Sequence, residues 1–491
     1  MRAFKDSGIE WLGEIPEHWE IKPLRAILNQ RNEQNNDLKL QTILSLIKDI
    51  GVIPYEEKGN VGNKSKEDLQ SYKIARINDL VLNKMNAVIG SLGVSAYNGL
   101  VSPIYLVFYI DNPKYLMSYY YYLFQIKSVQ KFLKTFAYGI MEIRESIDYL
   151  DFKKMFLPTP PLEEQKAIAD FLDSKCKQIE SFVDKKQRLI ALLNEKKQAL
   201  INECVTKGLS ALCHCKALTR HSKDSPSCHS EALAEESTLL CHSEALAEES
   251  KNIESQDKES RCFAIAQHDR TEYKDSGIKH LGKIPSHWEV RRLATFGKFS
   301  KGGNISRQDL VENGEQALLY GDIYMNYEIS TSFLDSQIST NTSPSATPIY
   351  RGDILFAGSG ETKEDIGKNI VYLGEDKAFA GGDIIIFRQK ENNALFLSYA
   401  LNTKYAKFYK GIESKGEIIV HIYASNLKDI KIPLPPIEEQ KQIAEFLDSE
   451  ISKIDSIIGK IKKQIELIKE YKSTLINQAV CGRIEKINLC L

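Results

Sequence analysis

Two His-Trp-Glu triplets, His18-Trp19-Glu20 and His287-Trp288-Glu289, set an imidazole near a carboxylate, the pairing that general acid–base chemistry uses. No nucleophile or carboxylate constellation accompanies either one in the sequence, so both histidines read as structural and Trp19 and Trp288 as anchors of a packed frame. Cys213, Cys215, Cys228, His229, Cys241, His242 and Cys262 are ligand types that hold zinc, but their spacing fits no pair of C-x-x-C knuckles. Gly59-Asn-Val-Gly-Asn-Lys-Ser65 has the wrong spacing for a phosphate-binding loop. No catalytic residue and no metal is assigned.

Positioning such residues falls to a chain of 491 residues, enough for about three compact units. Hydrophobic residues make up 42% and charged residues 27%, the balance of a globular protein. The net charge is only -1, so a polyanion partner must be met by local patches. The start has no apolar signal core, and a cytoplasmic location is expected. The uncharged window Met85–Ile110 is interrupted by Gly90, Gly93, Gly99 and Pro103, and reads as buried strands joined by turns, with no membrane partner expected. The nine cysteines are expected as reduced thiols.

The chain is written twice. Phe4-Lys-Asp-Ser-Gly-Ile-Glu-Trp-Leu-Gly-Glu-Ile-Pro-Glu-His-Trp-Glu20 returns at Tyr273, 269 positions on, and Leu157-Pro-Thr-Pro-Pro-Leu-Glu-Glu-Gln-Lys-Ala-Ile-Ala-Asp-Phe-Leu-Asp-Ser174 returns at Ile432, 275 positions on. Frame segments 1–24 and 271–293 therefore precede inserts 25–156 and 294–431, which do not align with each other. Both inserts carry short β-branched and aromatic runs between Gly, Asn and Pro turns, the mark of mixed α and β domains. Each also predicts a core helix, at Tyr115–Leu133 and Ala394–Tyr409. The run Tyr119–Tyr122 reads as packing within the first of these and not as a base-stacking platform.

After each insert, prolines at 158, 160 and 161, and at 433, 435 and 436, are expected to halt a strand and start a long helix at Glu-Glu-Gln. These helices lie in segments 157–209 and 432–484, and each is about 60 Å long for some 40 residues. Leu447, Ile451, Ile454, Ile458, Ile461, Ile465, Ile468 and Leu475 form a heptad seam, repeated as Leu172, Cys176, Ile179, Val183, Lys186, Ile190, Leu193 and Leu200. Each helix is the other's expected partner, with an interdomain connector or a homodimer coiled coil as the alternative. Lys186, Lys197 and Lys472 interrupt the seam, which suggests places where the pair opens or meets another subunit. Segment 210–270 contains the direct repeat Cys228–Ser237 and Cys241–Ser250 and is expected to be a flexible insertion; 485–491 is a tail.

The paired K-D-S-G-I-x-x-L-G-x-I-P-x-H-W-E and P-P-x-E-E-Q-K-x-I-A-x-F-L-D blocks resemble the DNA specificity subunit of type I restriction-modification enzymes. That resemblance implies an α+β fold: two mixed α/β target-recognition domains joined by two long helices in an antiparallel coiled coil, with internal pseudo-twofold symmetry. It implies double-stranded DNA as ligand, read as a bipartite site. Two methyltransferase subunits and restriction motor-nuclease subunits are the implied partners. Because the inserts differ, the site is expected to be asymmetric.

The inserts are not basic overall: 25–156 holds 17 Lys and Arg against 13 Asp and Glu, and 294–431 holds 15 against 17. Candidate DNA contacts are therefore polar groups in glycine-rich turns, namely Asn83, Lys84 and Asn86, then Ser359, Lys363 and Lys368, together with Arg144. Ser102-Pro-Ile-Tyr105 lacks the second proline by which adenine methyltransferases hold a flipped base. The chain itself is thus expected to be non-catalytic, with S-adenosylmethionine, ATP and Mg on partner subunits. A self-contained fused methyltransferase or nuclease, and a coiled-coil assembly protein without DNA readout, are the alternatives.

Overall fold

The computed structural model describes residues 3–48, 50–59, 68–86, 90–138, 146–209, 272–303, 305–417 and 419–484. The repeat-bearing segment 210–270, with its cysteines and histidines, lies outside the described residues, as does Arg144. The chain divides into two compact units, Met1–Leu189 with Lys460–Leu491, and Ile190–Gly459. Each long helix is thereby shared between the two.

In the first unit a hairpin (Phe4–Asp6 with Glu14–Pro16) leads to strand Glu20–Pro23, which pairs antiparallel with Phe156–Thr159. The insert therefore leaves and returns on neighbouring strands. In the second unit Tyr273–Asp275 pairs with Lys283–Pro285, and Glu289–Arg292 with Lys431–Leu434. The returning strands end at Thr159 and Leu434, just before Pro160-Pro161 and Pro435-Pro436, as expected, while the first proline of each set lies within its strand: Pro158 opposite Ile21 and Pro433 opposite Val290. In a two-stranded ladder a proline can face outward, where no N–H is required.

Inserts that do not align in sequence share one strand order. The first builds an antiparallel sheet in the order Asn29–Gln30, Tyr105–Tyr109, Leu80–Asn83, Leu92–Val94. The second repeats it as Lys298–Lys301, Ile384–Arg388, Ile354–Ala357, Asn369–Tyr372, and adds Ser330–Thr331 in parallel at the far edge. A side ladder is also common to both, Lys73–Ala75 with Gly99–Val101 and Thr347–Ile349 with Ala378–Ala380. The window Met85–Ile110 holds three of these strands. Among the described residues no helix is long and apolar enough to cross a membrane.

Each expected core helix is two helices. Met117–Gln125 gives way to Lys127–Leu133 at Ile126, whose ψ of 129° is extended, and Gln130 Nε2 donates to the freed carbonyls of Phe124 and Gln125. Ala394–Leu401 gives way to Lys404–Glu413 at Thr403, whose hydroxyl caps the second helix by accepting from Ala406 N. Apolar periodicity alone does not register such a break, because both helices bury their faces in the same core. Tyr119 and Tyr120 are fully buried, and edge-on ring contacts join Trp19 to Tyr119 and Tyr119 to Tyr120.

The long helices run Leu162–Lys207 (46 residues) and Ile437–Val480 (44 residues), close to 70 Å each at about 1.5 Å per residue. In the first unit Leu172 and Cys176, near the start of one helix, share a core with Leu475, Ile476, Ala479 and Val480 at the end of the other. The second unit repeats the arrangement with Ile201, Cys204 and Val205 against Ile443, Ala444, Leu447 and Ile451. Along the seam Leu172, Ile179, Leu447, Ile451, Ile454, Ile458, Ile461, Ile465 and Leu475 are buried, while Val183, Ile190, Leu193, Leu200 and Ile468 are half-buried.

Candidate functional site

The Glu-Glu-Gln opening of each long helix has three separate tasks. Glu163 and Glu438 stay exposed and pair with Lys166 and Lys441 one turn on. Glu164 reaches back to the frame, accepting from Trp19 Nε1 at 3.1 Å and meeting His18 Nε2 at 2.5 Å. Glu439 repeats this with Trp288 Nε1 at 3.2 Å and His287 Nε2 at 2.9 Å. A carboxylate therefore does accompany each histidine, brought from about 150 residues away, where the sequence reading found none. Each carboxylate joins its indole and its imidazole, which clamps the frame segment to the first turn of the long helix.

The glutamines fasten the inserts. Gln165, fully buried, accepts from Leu116 N at 2.8 Å and donates to the carbonyls of Lys114 and Pro160. Gln440 accepts from Asn393 N at 2.9 Å and donates to Asn392 Oδ1 and Pro435 O. In both units this ties the first turn of the long helix to the turn that starts the domain's helix pair.

The far end of the other helix closes the same clamp. Gly208 has φ of 77°, and a Cβ there would meet Glu439 Oε1 at 3.1 Å; Gly482 has φ of 71°, and a Cβ there would strike Pro16 and Trp19 within 3 Å. Only glycine combines that left-handed turn with that approach.

The sequence-selected polar residues fall at corresponding places in the two domains. Asn83 ends the central strand Leu80–Asn83, is buried, and its side chain accepts from Met85 N at 3.1 Å. Lys84 is half-buried and Asn86 exposed in the turn that follows, where Lys84 O accepts from Ile147 N at 3.0 Å. Ser359 follows the matching strand Ile354–Ala357, is buried, and its hydroxyl lies 2.9 Å from His421 Nδ1. Lys363 is exposed in the next loop. Lys368 is half-buried, and desolvation holds its ammonium below the usual lysine range, with Glu328 acting in the opposite sense. In both domains, then, the loop after the central strand is joined by backbone hydrogen bonds to the segment that follows the helix pair.

Of the three seam lysines two make ion pairs from one helix to the other, while Lys186 lies with its Nζ 5.2 Å from the Phe182 ring of its own helix. Lys472 Nζ lies 2.8 Å from Glu180 Oε1, and Lys197 Nζ lies 2.8 and 2.9 Å from the Asp455 oxygens. Missed by sequence reasoning were the two buried aspartates Asp79 and Asp353, each held by an arginine. The turn signal before each central strand, Asn-Asp and Gly-Asp, could have flagged them.

Against known proteins, the family model of the type I restriction modification DNA specificity domain matches residues 16–191 and 285–467. The chain belongs to that family. The two matched stretches each take in one frame strand, one insert and most of one long helix. The type I restriction enzyme MjaVIII specificity subunit of Methanocaldococcus jannaschii is 32% identical over 213 residues, 42% of this chain and 45% of that protein. The type I restriction enzyme EcoKI specificity subunit of Escherichia coli K12 is 22% identical over 207 residues, 41% of this chain and 44% of that protein. The chain thus spans about half the length of the curated relatives it matches. A solved chain from work on complex assembly and conformational transition of the type I R-M system shares the fold, with a TM-score of 0.58 at 14% identity over 96% of this chain and 99% of that one.

Proposed function

We propose that this chain is the non-catalytic, sequence-reading subunit of a type I restriction-modification complex. Residues 25–156 read one half of a bipartite site on double-stranded DNA and residues 294–431 the other, from the loops carrying Asn83, Lys84, Asn86 and Arg144 and those carrying Ser359, Lys363 and Lys368. The long helices form an antiparallel coiled coil that spaces the readers. The carrying observation is that two inserts of unlike sequence share one strand order and hang from equivalent Trp-Glu-Gln fastenings. One frame with two interchangeable readers fits an asymmetric target, as two unlike chains of a dimeric repressor would.

Methyl transfer and DNA cleavage fall to partners in the cytoplasm, which bring S-adenosylmethionine, ATP and Mg. Two copies of a methyltransferase subunit fit a further repeat. Exposed Phe182 and Leu467 lie on the helix segments of the first unit, and exposed Ile457 and Leu192, each 275 positions from its counterpart, on those of the second. Each unit so presents one copy of the same apolar pair. The test is methyl transfer to DNA with S-adenosylmethionine. The chain alone should be inactive, and addition of the methyltransferase partner should yield methylation at one bipartite asymmetric motif. Activity of the chain alone would replace this reading with that of a fused methyltransferase.

A further inference from the structure

Lys197 and Lys472 stand 275 positions apart, as do the partners of their helix-to-helix ion pairs, Glu180 and Asp455. Each lysine occupies a seam position where an apolar side chain would pack better, so each is retained at a cost in stability. The two ion pairs are alike, but their surroundings differ. Lys472 keeps 28% of its side chain exposed and meets Glu180 alone among the described carboxylates within ion-pair distance. Lys197 keeps 9% of its side chain exposed and donates to a second carboxylate, Glu328.

Glu328 lies two residues before Ser330–Thr331, the edge strand that the first domain lacks. The next turn of the helix extends this attachment. Gln198 donates to Asn402 O and accepts from Lys407 Nζ, both at 3.3 Å, and Asn202 Oδ1 accepts from Lys404 N at 2.9 Å. In the first domain the corresponding attachment uses tyrosines: Tyr119 donates to Val480 O at 3.0 Å and Tyr122 to Asp173 Oδ1 at 2.6 Å.

Resting on the DNA-reading role proposed above, we infer that Lys197 is a positioning residue for the second recognition domain: its ammonium holds Glu328 of the domain against Asp455 of the helix. Without that cation nothing joins the two carboxylates, and the edge strand is released from the helix that carries the domain. Base reading tolerates little such displacement, because hydrogen bonds to base edges weaken steeply with distance and angle. The domain core does not depend on the clamp, since Glu328 and Asp455 are 67% and 45% exposed and hydrate when released.

The experiment uses the full chain assembled with its methyltransferase partner, once the methylated motif is mapped and domain exchange has shown which half residues 294–431 read. Initial methylation rates are compared on the intact motif and on duplexes carrying one mismatch in either half. Lys197→Met should lower discrimination in the second domain's half by about tenfold, the size of one weakened base contact, and leave the other half unchanged. Lys197→Arg should restore it, and Glu328→Gln, an exposed change that leaves folding intact, should reproduce the loss. Lys472→Met should change neither half. Equal loss in both halves, no loss with Lys197→Met or Glu328→Gln, or the same loss with Lys472→Met would overturn the inference alone. A wild-type complex that methylates no bipartite motif would overturn the DNA-reading role and the inference with it.

Discussion

Asp353 accepts two hydrogen bonds from the Arg388 guanidinium, at 2.8 and 2.6 Å, and a third from Tyr350 N at 2.9 Å. Asp79 is its counterpart before the first domain's central strand, accepting from Arg31 at 2.7 and 3.1 Å and from Arg76 N at 2.8 Å. The carboxylate is fixed while its arginine changes strand. Arg388 ends the strand Ile384–Arg388, whereas Arg31 follows Asn29–Gln30 and lies 4.5 Å over Tyr109, which takes the place of Arg388. Both aspartates are 2% exposed, so losing one leaves an arginine without its carboxylate and one turn N–H without its acceptor. Asp353→Ala and Asp79→Ala should each cost about 3 kcal/mol, read as a lower denaturation midpoint for the affected domain.

Lys410 sets a pH dependence. It is fully buried, donates to the carbonyls of Gly367 and Leu401 and to Asn369 Oδ1, and burial pushes its ammonium down from 10.5 to about 7. Between those values the unfolded chain binds one more proton than the native one, so raising the pH stabilises the fold; below about 7 both hold the proton and the full burial cost applies. The denaturation midpoint of residues 294–431 should rise from pH 7 toward 10, and Lys410→Met should flatten that slope.

Thiol reactivity should be low. Burial pushes Cys204 up to about 12 and Cys481 up to about 11, and Cys176 is raised for the same reason. Because the thiolate is the nucleophile, these three should resist alkylation by iodoacetamide at pH 8 and react once the chain is unfolded, as followed by mass spectrometry.

The exposed apolar pairs should matter to assembly and not to folding. Phe182→Ser with Leu467→Ser should leave the melting temperature nearly unchanged, as surface changes do within about 0.5 kcal/mol. Binding of methyltransferase should fall from two copies to one, read by mass photometry. Retention of both copies would place the docking surface elsewhere.

Spacing should follow helix length. Seven residues inserted at matched positions in both long helices keep the seam in phase and lengthen it by about 10 Å, close to three base pairs. The gap in the methylated motif should widen by about that number, as shown by sequencing the methylated genome.

Much of this was legible in one dimension. A repeat of 275 positions is a statement about two copies of a fold, and a heptad seam is a statement about a buried face, because side-chain direction in a helix follows from spacing alone. The partners of isolated polar residues were not legible: nothing near His18 announces Glu164, and nothing near Lys197 announces Glu328. Nor was the kinship of the inserts, since a ladder made by backbone groups accepts many side chains and leaves strand order without a sequence trace.

By itself the sequence determined the duplication, the long helices, the absence of a phosphate loop and the family to which the chain belongs, all of which depend on order and spacing along the chain. Tertiary structure alone decided that Glu164 and Glu439 grip an indole, that Asp79 and Asp353 hold arginines from different strands, and that of two equivalent lysines only Lys197, among the described residues, reaches a carboxylate of an insert. Hydrogen bonds and ion pairs act over about 3 Å, and which groups come that close depends on how the whole chain packs.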